Sequence, residues 1–167
     1  MMMGVRIWML VDVEPGNERL LVGDQIEAAT AWCRPEMLPA EVVSWDVPVQ
    51  VERVAAIRPG EYDWVARNNN EHVSALLSDW KEPEGPTAIS GCLMYDRYLK
   101  LFHHIVPTTR GRVLRRAVIT REGTRTPNPL GGYSVDPSRP PTFTECGNVP
   151  PDRTATWNCV ELDTDDE

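Results

Sequence analysis

Six arginines crowd into sixteen positions of this chain: Arg110, Arg112, Arg115, Arg116, Arg121 and Arg125, opposed by one acid, Glu122. Guanidinium groups recognise carboxylates and phosphates through planar, forked donors that keep their charge at any physiological pH. A basic block of this kind, in a chain of formal net charge −8, creates a local field that selects and steers partners. The chemistry it offers is anion recognition, of an acidic protein surface or of a phosphate backbone. The acidic balance of the remainder argues against non-specific DNA binding.

The other groups with chemical potential are fewer. His103 and His104 are adjacent, so on a strand their rings point to opposite faces and do not ligate one metal together. Neither G-x-S-x-G nor H-E-x-x-H accompanies them, which leaves an enzyme using His103 or His104 with an acid from a distant loop as a third-ranked reading. Cys33, Cys92, Cys146 and Cys159 contain no C-x-x-C pair, so the spacing predicts reduced thiols rather than a zinc site. Gly131-Gly132 follows a proline and precedes no helix, so no phosphate loop is expected. No cofactor, metal site or catalytic residue is therefore assigned. Six tryptophans are many for 167 residues. Trp32, Trp80 and Trp157 fit core faces, whereas Trp45 and Trp64 fall beside Asp46 and Asp63 near turns, where an exposed indole can anchor a partner.

The elements that must carry these groups are mostly strands. Fifteen prolines and eleven glycines favour many short elements. Val5 to Glu14 alternates, with Trp8 and Leu10 on the second face, as a strand covered on both sides does. Gln25 to Cys33 follows as a strand. Val42 to Ile57 reads as one or two strands, with Pro48 at an edge or a bulge. Val73, Leu76, Leu77 and Trp80 fall at helical spacing, so a helix is expected over Glu71 to Trp80 with Asn70 as its N-cap. Ile89 to Phe102, Thr109 to Arg121 and Thr154 to Leu162 return to β. On a regular strand, Arg112, Leu114, Arg116, Val118 and Thr120 would share one face and Arg115 and Arg121 would lie on the other, so the arginines form no single stripe.

The pattern implies an α+β, β-dominated fold: a small, partly open β-barrel or curled antiparallel sheet with one short helix and a proline-rich arm. Residues 1–125 plus 154–162 form the domain, 126–153 a proline-rich arm or long loop, and 163–167 an acidic tail. The opening Met1 to Val13 carries no cleavage site and nothing in the chain approaches a spanning helix, so a cytoplasmic protein without a membrane partner is expected.

Three short patches, in order, carry a resemblance: Val5-Arg6-Ile7-Trp8, Leu21-Val22-Gly23-Asp24, and the run from His103-His104 through Thr109, Gly111 and Val113-Leu114-Arg115. Together they resemble an uncharacterised family of small proteins from GC-rich, actinobacterial-type genomes. The patches cover well under half of the chain, and the polar Glu14 to Arg19 stands where that family has a cysteine-containing stretch. The resemblance implies no activity.

The functional expectation is a non-enzymatic binding module with a protein partner. One concrete form is an acidic inhibitor or immunity-type protein, making contact through Asp46, Asp63 and the acids of 163–167. Nucleic acid bound by the arginine segment, with Tyr98 or Tyr133 stacking a base, is the alternative. Charge polarity of this kind also suits self-association.

Overall fold

The computed structural model describes residues 5–12, 20–69, 71–123, 126–127, 129–130, 133–134, 138–145 and 149–164. In chain order the strands are β1 (Arg6–Asp12), β2 (Gln25–Cys33), β3 (Ser44–Ala55), β4 (Tyr62–Arg67), β5 (Ser74–Leu77) and β6 (Gly85–Tyr95). They continue with β7 (Thr108–Glu122), β8 (Thr126–Pro127), β9 (Tyr133–Ser134), β10 (Thr142–Glu145) and β11 (Arg153–Asp163). One helical turn, α1 (Leu99–Phe102), joins β6 to β7, and two 3₁₀ turns, Pro35–Met37 and Ala40–Val42, join β2 to β3.

Eight strands close into a ring. β1 pairs with β11, β11 with β7, β7 with β2, β2 with β5, β5 with β4, β4 with β3, β3 with β6, and β6 returns to β1. The β1–β6 and β2–β5 contacts are parallel and the rest antiparallel. The expected partly open sheet is thus replaced by full closure, which removes the exposed edges an open sheet would leave. Closure works because the long strands change partners along their length. β2 pairs with β7 over Gln25–Ala29 and with β6 over Thr30–Cys33. β6 pairs with β3 as far as Gly91 and with β2 from Cys92.

The β2–β6 ladder crosses the ring and divides its interior. On one side Ile7, Met9, Val11, Ala28, Leu93, Val113, Val160 and Leu162 form a core. On the other, Val47, Val49, Val51, Ala66, Leu77 and Ile89 form a second, against which Trp32, Trp64 and Trp80 pack. A third cluster lies behind β1, where Trp8, Leu10, Cys92, Ala117, Ile119 and Cys159 are covered by Val42 and Phe143. The Phe143 ring meets Trp8 edge-on at 5.3 Å. β1 is therefore buried on both faces along Ile7–Val11, as its continuous apolar run implies. Where β2 leaves β7, hydroxyls satisfy the backbone: Thr30 Oγ1 donates to the Ser74 carbonyl at 2.6 Å and lies 2.8 Å from Thr109 Oγ1.

Glu71 to Trp80 is not a helix. Ser74–Leu77 is a buried strand between β4 and β2, and α1 at Leu99–Phe102 is the α-helical turn among the described residues. All four residues of β5 are buried, so a helix here would have had no polar face to turn to water. The chain instead reverses tightly before β5: the Asn68 N–H donates to the Val73 carbonyl, the Val73 N–H donates to Asn68 Oδ1, and Glu71 adopts φ +62°. The expected cap, Asn70, lies outside the described residues. Pro48 sits in the portion of β3 that pairs with β6 alone, an edge position where its missing N–H costs nothing. Segment 126–153 supplies β10, which lies along β7, and the small β8–β9 ladder. Asp163 ends β11 and Thr164 is buried, its Oγ1 donating to the Val5 carbonyl at 2.7 Å. Residues 165–167 lie outside the described set.

Candidate functional site

The arginines of β7 do not share a face. β11 shifts register against β7 between Glu161 and Leu162, which pair with Arg115 and Val113, so Leu114 is the extra residue of a bulge. A bulge reverses the sidedness of everything beyond it. Arg115 is thereby placed with Ala117 and Ile119 on the side of Trp8. Its guanidinium lies 5.0 Å from the Trp8 ring, 3.3 Å from Glu161 Oε1 and 2.7 Å from Glu145 Oε1. Hydrogen bonds to Glu161 and then Glu145 hold it above the usual arginine range. Arg121 donates to the Arg139 carbonyl, and Arg116 lies half-buried opposite Val160. Arg110 and Arg112 are exposed, Arg112 directly opposite Asp163. Arg125 lies outside the described residues.

Despite its three contacts, Arg115→Ala is expected to cost only about 1 kcal/mol, since exposed ion pairs gain little against screening and lost side-chain entropy. The loss should shrink further in high salt. Urea denaturation at low and high ionic strength reads both quantities.

The two tryptophans flagged beside acids part company. Trp45 occupies a bulge of β3, where the pairing with β6 shifts between Ser44 and Val47, and it is 65% exposed. Asp46 takes φ +49° there, with its N–H donated to Ser90 Oγ at 3.0 Å. Trp64 turns into the second core instead. The acids expected to carry an inhibitor-type contact are partly engaged within the fold: Asp63 Oδ2 accepts from His103 Nδ1 at 2.9 Å.

That bond belongs to a cluster of exposed apolar side chains, the turn between β6 and β7. Asp96 starts it, its carboxylate accepting from the Tyr98 N–H at 2.9 Å and its carbonyl from the Leu99 N–H. Leu99 is buried among Ala31, Leu76, Met94 and Val106. The His103 N–H closes the turn on the Leu99 carbonyl, and the part-buried His103–Asp63 pair ties α1 to β4. Around this anchored frame Tyr98, Leu101 and Phe102 are 52%, 60% and 69% exposed, and Ile105 also faces solvent. Arg97, Lys100 and His104 are exposed beside them. The Arg97 guanidinium lies 5.0 Å from the Tyr98 ring and donates to its hydroxyl.

An Asp–His pair orients an imidazole, but catalysis by one needs a nucleophile or substrate within reach of its other nitrogen. Among the described residues Asp63 is the one side chain bonded to His103, and no group of three or more His, Cys, Asp and Glu is placed to hold a metal. The His103–Asp63 bond fastens the apolar turn to β4.

Two features escaped sequence reasoning. The Tyr98–Ile105 turn has no signal of its own in the sequence, because Tyr98, Leu99 and Leu101 continue the apolar run of β6. The second is a cleft of about 990 Å³ walled by Trp32 and Trp80 and edged by Arg34, Glu36, Asp79 and Lys81. It is built from β2, β5 and β6 ends that are remote in sequence. Compared with known proteins, the chain matches no family model, no curated protein and no solved structure. Among the described residues no helix is long and apolar enough to cross a membrane.

Proposed function

We propose that this protein is a non-enzymatic binding module that docks a protein partner through the Tyr98–Ile105 turn. The observation that carries the reading is ordered exposure. Tyr98, Leu101 and Phe102 stay in water although the turn that bears them is anchored by Leu99, Asp96 and the His103–Asp63 pair. Clustered apolar exposure on a rigid frame is the mark of an interface, and a pre-ordered anchor loses little entropy on binding. Arg97 and Lys100 give the rim a positive character, so the complementary partner presents an apolar groove edged by carboxylates. Trp45 offers a second anchor on β3. Nucleic acid bound through Arg110 and Arg112 is the alternative, favoured by their exposure without an ion pair among the described residues.

The test compares wild type, Leu101→Ala/Phe102→Ala and Arg110→Ala/Arg112→Ala as baits in lysate, with and without nuclease, followed by titration of the purified captured protein. A hot-spot anchor at the centre of an interface costs about 2 kcal/mol or more when truncated, so removing two central side chains of the turn should weaken binding at least about 30-fold. The arginine variant should bind within a few-fold of wild type. Equal binding by wild type and the turn variant would overturn the proposal. Capture lost with nuclease or with the arginine variant would move the site to β7 and to nucleic acid.

A further inference from the structure

β2 and β6 bring two cysteines that are far apart in sequence into direct opposition. In their antiparallel ladder Cys33 pairs with Cys92, so the two side chains leave the sheet on the same face as cross-strand neighbours. Both are free thiols. The Cys33 S–H donates to the Arg34 carbonyl at 3.6 Å. The strands also run unusually close here: a Cβ added to Gly91 would lie 1.9 Å from the Cys33 carbonyl oxygen. Facing positions on adjacent strands already lie near the Cβ separation that a disulfide requires.

The two thiols differ in access. Cys33 ends β2 partly exposed, while Cys92 is fully buried and shares its cluster with buried Cys159. That asymmetry matches the division of labour in a peroxide-reactive dithiol, with an accessible attacking sulfur and a protected one that resolves it. We propose that Cys33 and Cys92 form a reversible dithiol that a peroxide closes into a disulfide across the β2–β6 ladder.

The chemistry balances with hydrogen peroxide as the oxidant. The Cys33 thiolate attacks one peroxide oxygen, the O–O bond breaks, and the departing hydroxide takes a proton to become water. The Cys92 sulfur then attacks the Cys33 sulfenic sulfur, an S–S bond forms, and the S–O bond breaks. The leaving hydroxide takes the Cys92 proton as a second water. Two electrons pass from the sulfur pair to the peroxide, and a dithiol reductant returns them. The adjoining Cys92 thiol lowers the Cys33 thiol below its ordinary range, which favours the first step. Interaction with Cys33, and then burial, raises the Cys92 thiol above its own range, and its full burial leaves the accessible Cys33 to meet the peroxide first. Burial pushes Cys159 up to about 12, which keeps it out of the exchange.

The consequence is structural. The β2–β6 ladder is the wall shared by the two cores, and Cys33 leads directly into the Pro35–Met37 turn. A covalent bond at this point pins the end of β2 to β6 and constrains the turn that follows.

The experiment treats the full-length protein with a small excess of hydrogen peroxide, blocks remaining thiols by alkylation and maps linked peptides by mass spectrometry. A Cys33–Cys92 linkage that disappears with dithiothreitol, accompanied by a higher urea midpoint before reduction, is expected. In Cys92→Ala, dimedone should instead trap a sulfenic acid at Cys33. A bridge from Cys33 to Cys146 or Cys159, or a Cys33 that stays reduced in wild type, would overturn the proposal. The wild-type map stands by itself if Cys92→Ala fails to fold.

Discussion

Gly91→Ala should lose about 4 kcal/mol of folding stability, a large share of what a domain of this size holds. Two independent costs combine. Gly91 has φ +137°, a region that side-chain-bearing residues occupy only at a penalty of about 1–3 kcal/mol. Its added Cβ would also lie 1.9 Å from the Cys33 carbonyl oxygen and 3.0 Å from the Cys33 carbonyl carbon and Trp32 Nε1. Backbone atoms cannot step aside as a flexible side chain can, so β2 and β6 must separate where their ladder begins. Gly60 supplies the control: it has φ +83° with nothing within 4 Å of the added Cβ, so Gly60→Ala should cost only about 1 kcal/mol. Urea titrations of both variants measure the contrast. A Gly91→Ala protein within 1 kcal/mol of wild type would mean that the two strands do not approach as described.

The second large loss is expected at Leu93→Ala. Leu93 is fully buried in the first core, with Met9 beside it on β1 and Trp32 opposite on β2. Both neighbouring strands are held in the ring, so the site cannot collapse around the missing atoms. Truncating a leucine in such a place costs about 2–5 kcal/mol, from lost transfer energy and a residual cavity. Leu93→Met, which nearly conserves volume, should stay within about 1.5 kcal/mol. Leu101→Ala makes the comparison functional: its side chain is 60% exposed, so stability should barely change while binding through the turn weakens. If Leu93→Ala and Leu101→Ala had equal effects on the urea midpoint, the assignment of one to core and the other to interface would fail.

Local pattern was enough for strands that follow a single rule throughout. Gln25–Cys33 is a strand with the bounds its alternation implies, and Arg6–Asp12 is covered on both faces as its unbroken apolar run suggests. The basic character of β7 was legible too, and so was the placing of Pro48 at an edge or a bulge, because charge and the missing proline N–H are properties of the residues themselves. The Glu71–Trp80 helix failed because a short apolar run satisfies helical and extended spacing equally well. What decided it was burial against β4 and β2, and neither strand can be foreseen from the run itself. The arginine faces failed at Leu114, since one extra residue reverses every side chain beyond it and no residue type announces that insertion.

The site shows the same division. Sequence alone determined that the chain is β-dominated and that clustered arginines, histidines, thiols and tryptophans are present in it. Only the tertiary structure decided which of them meet. Closure of the ring set Arg115 between two carboxylates, turned Trp64 inward and left Trp45 outside, joined His103 to Asp63, and aligned Cys33 with Cys92. Each of those outcomes depends on strand register between segments tens of residues apart. Register is set by packing of the whole core, and a shift of one residue would send every such side chain to the opposite face.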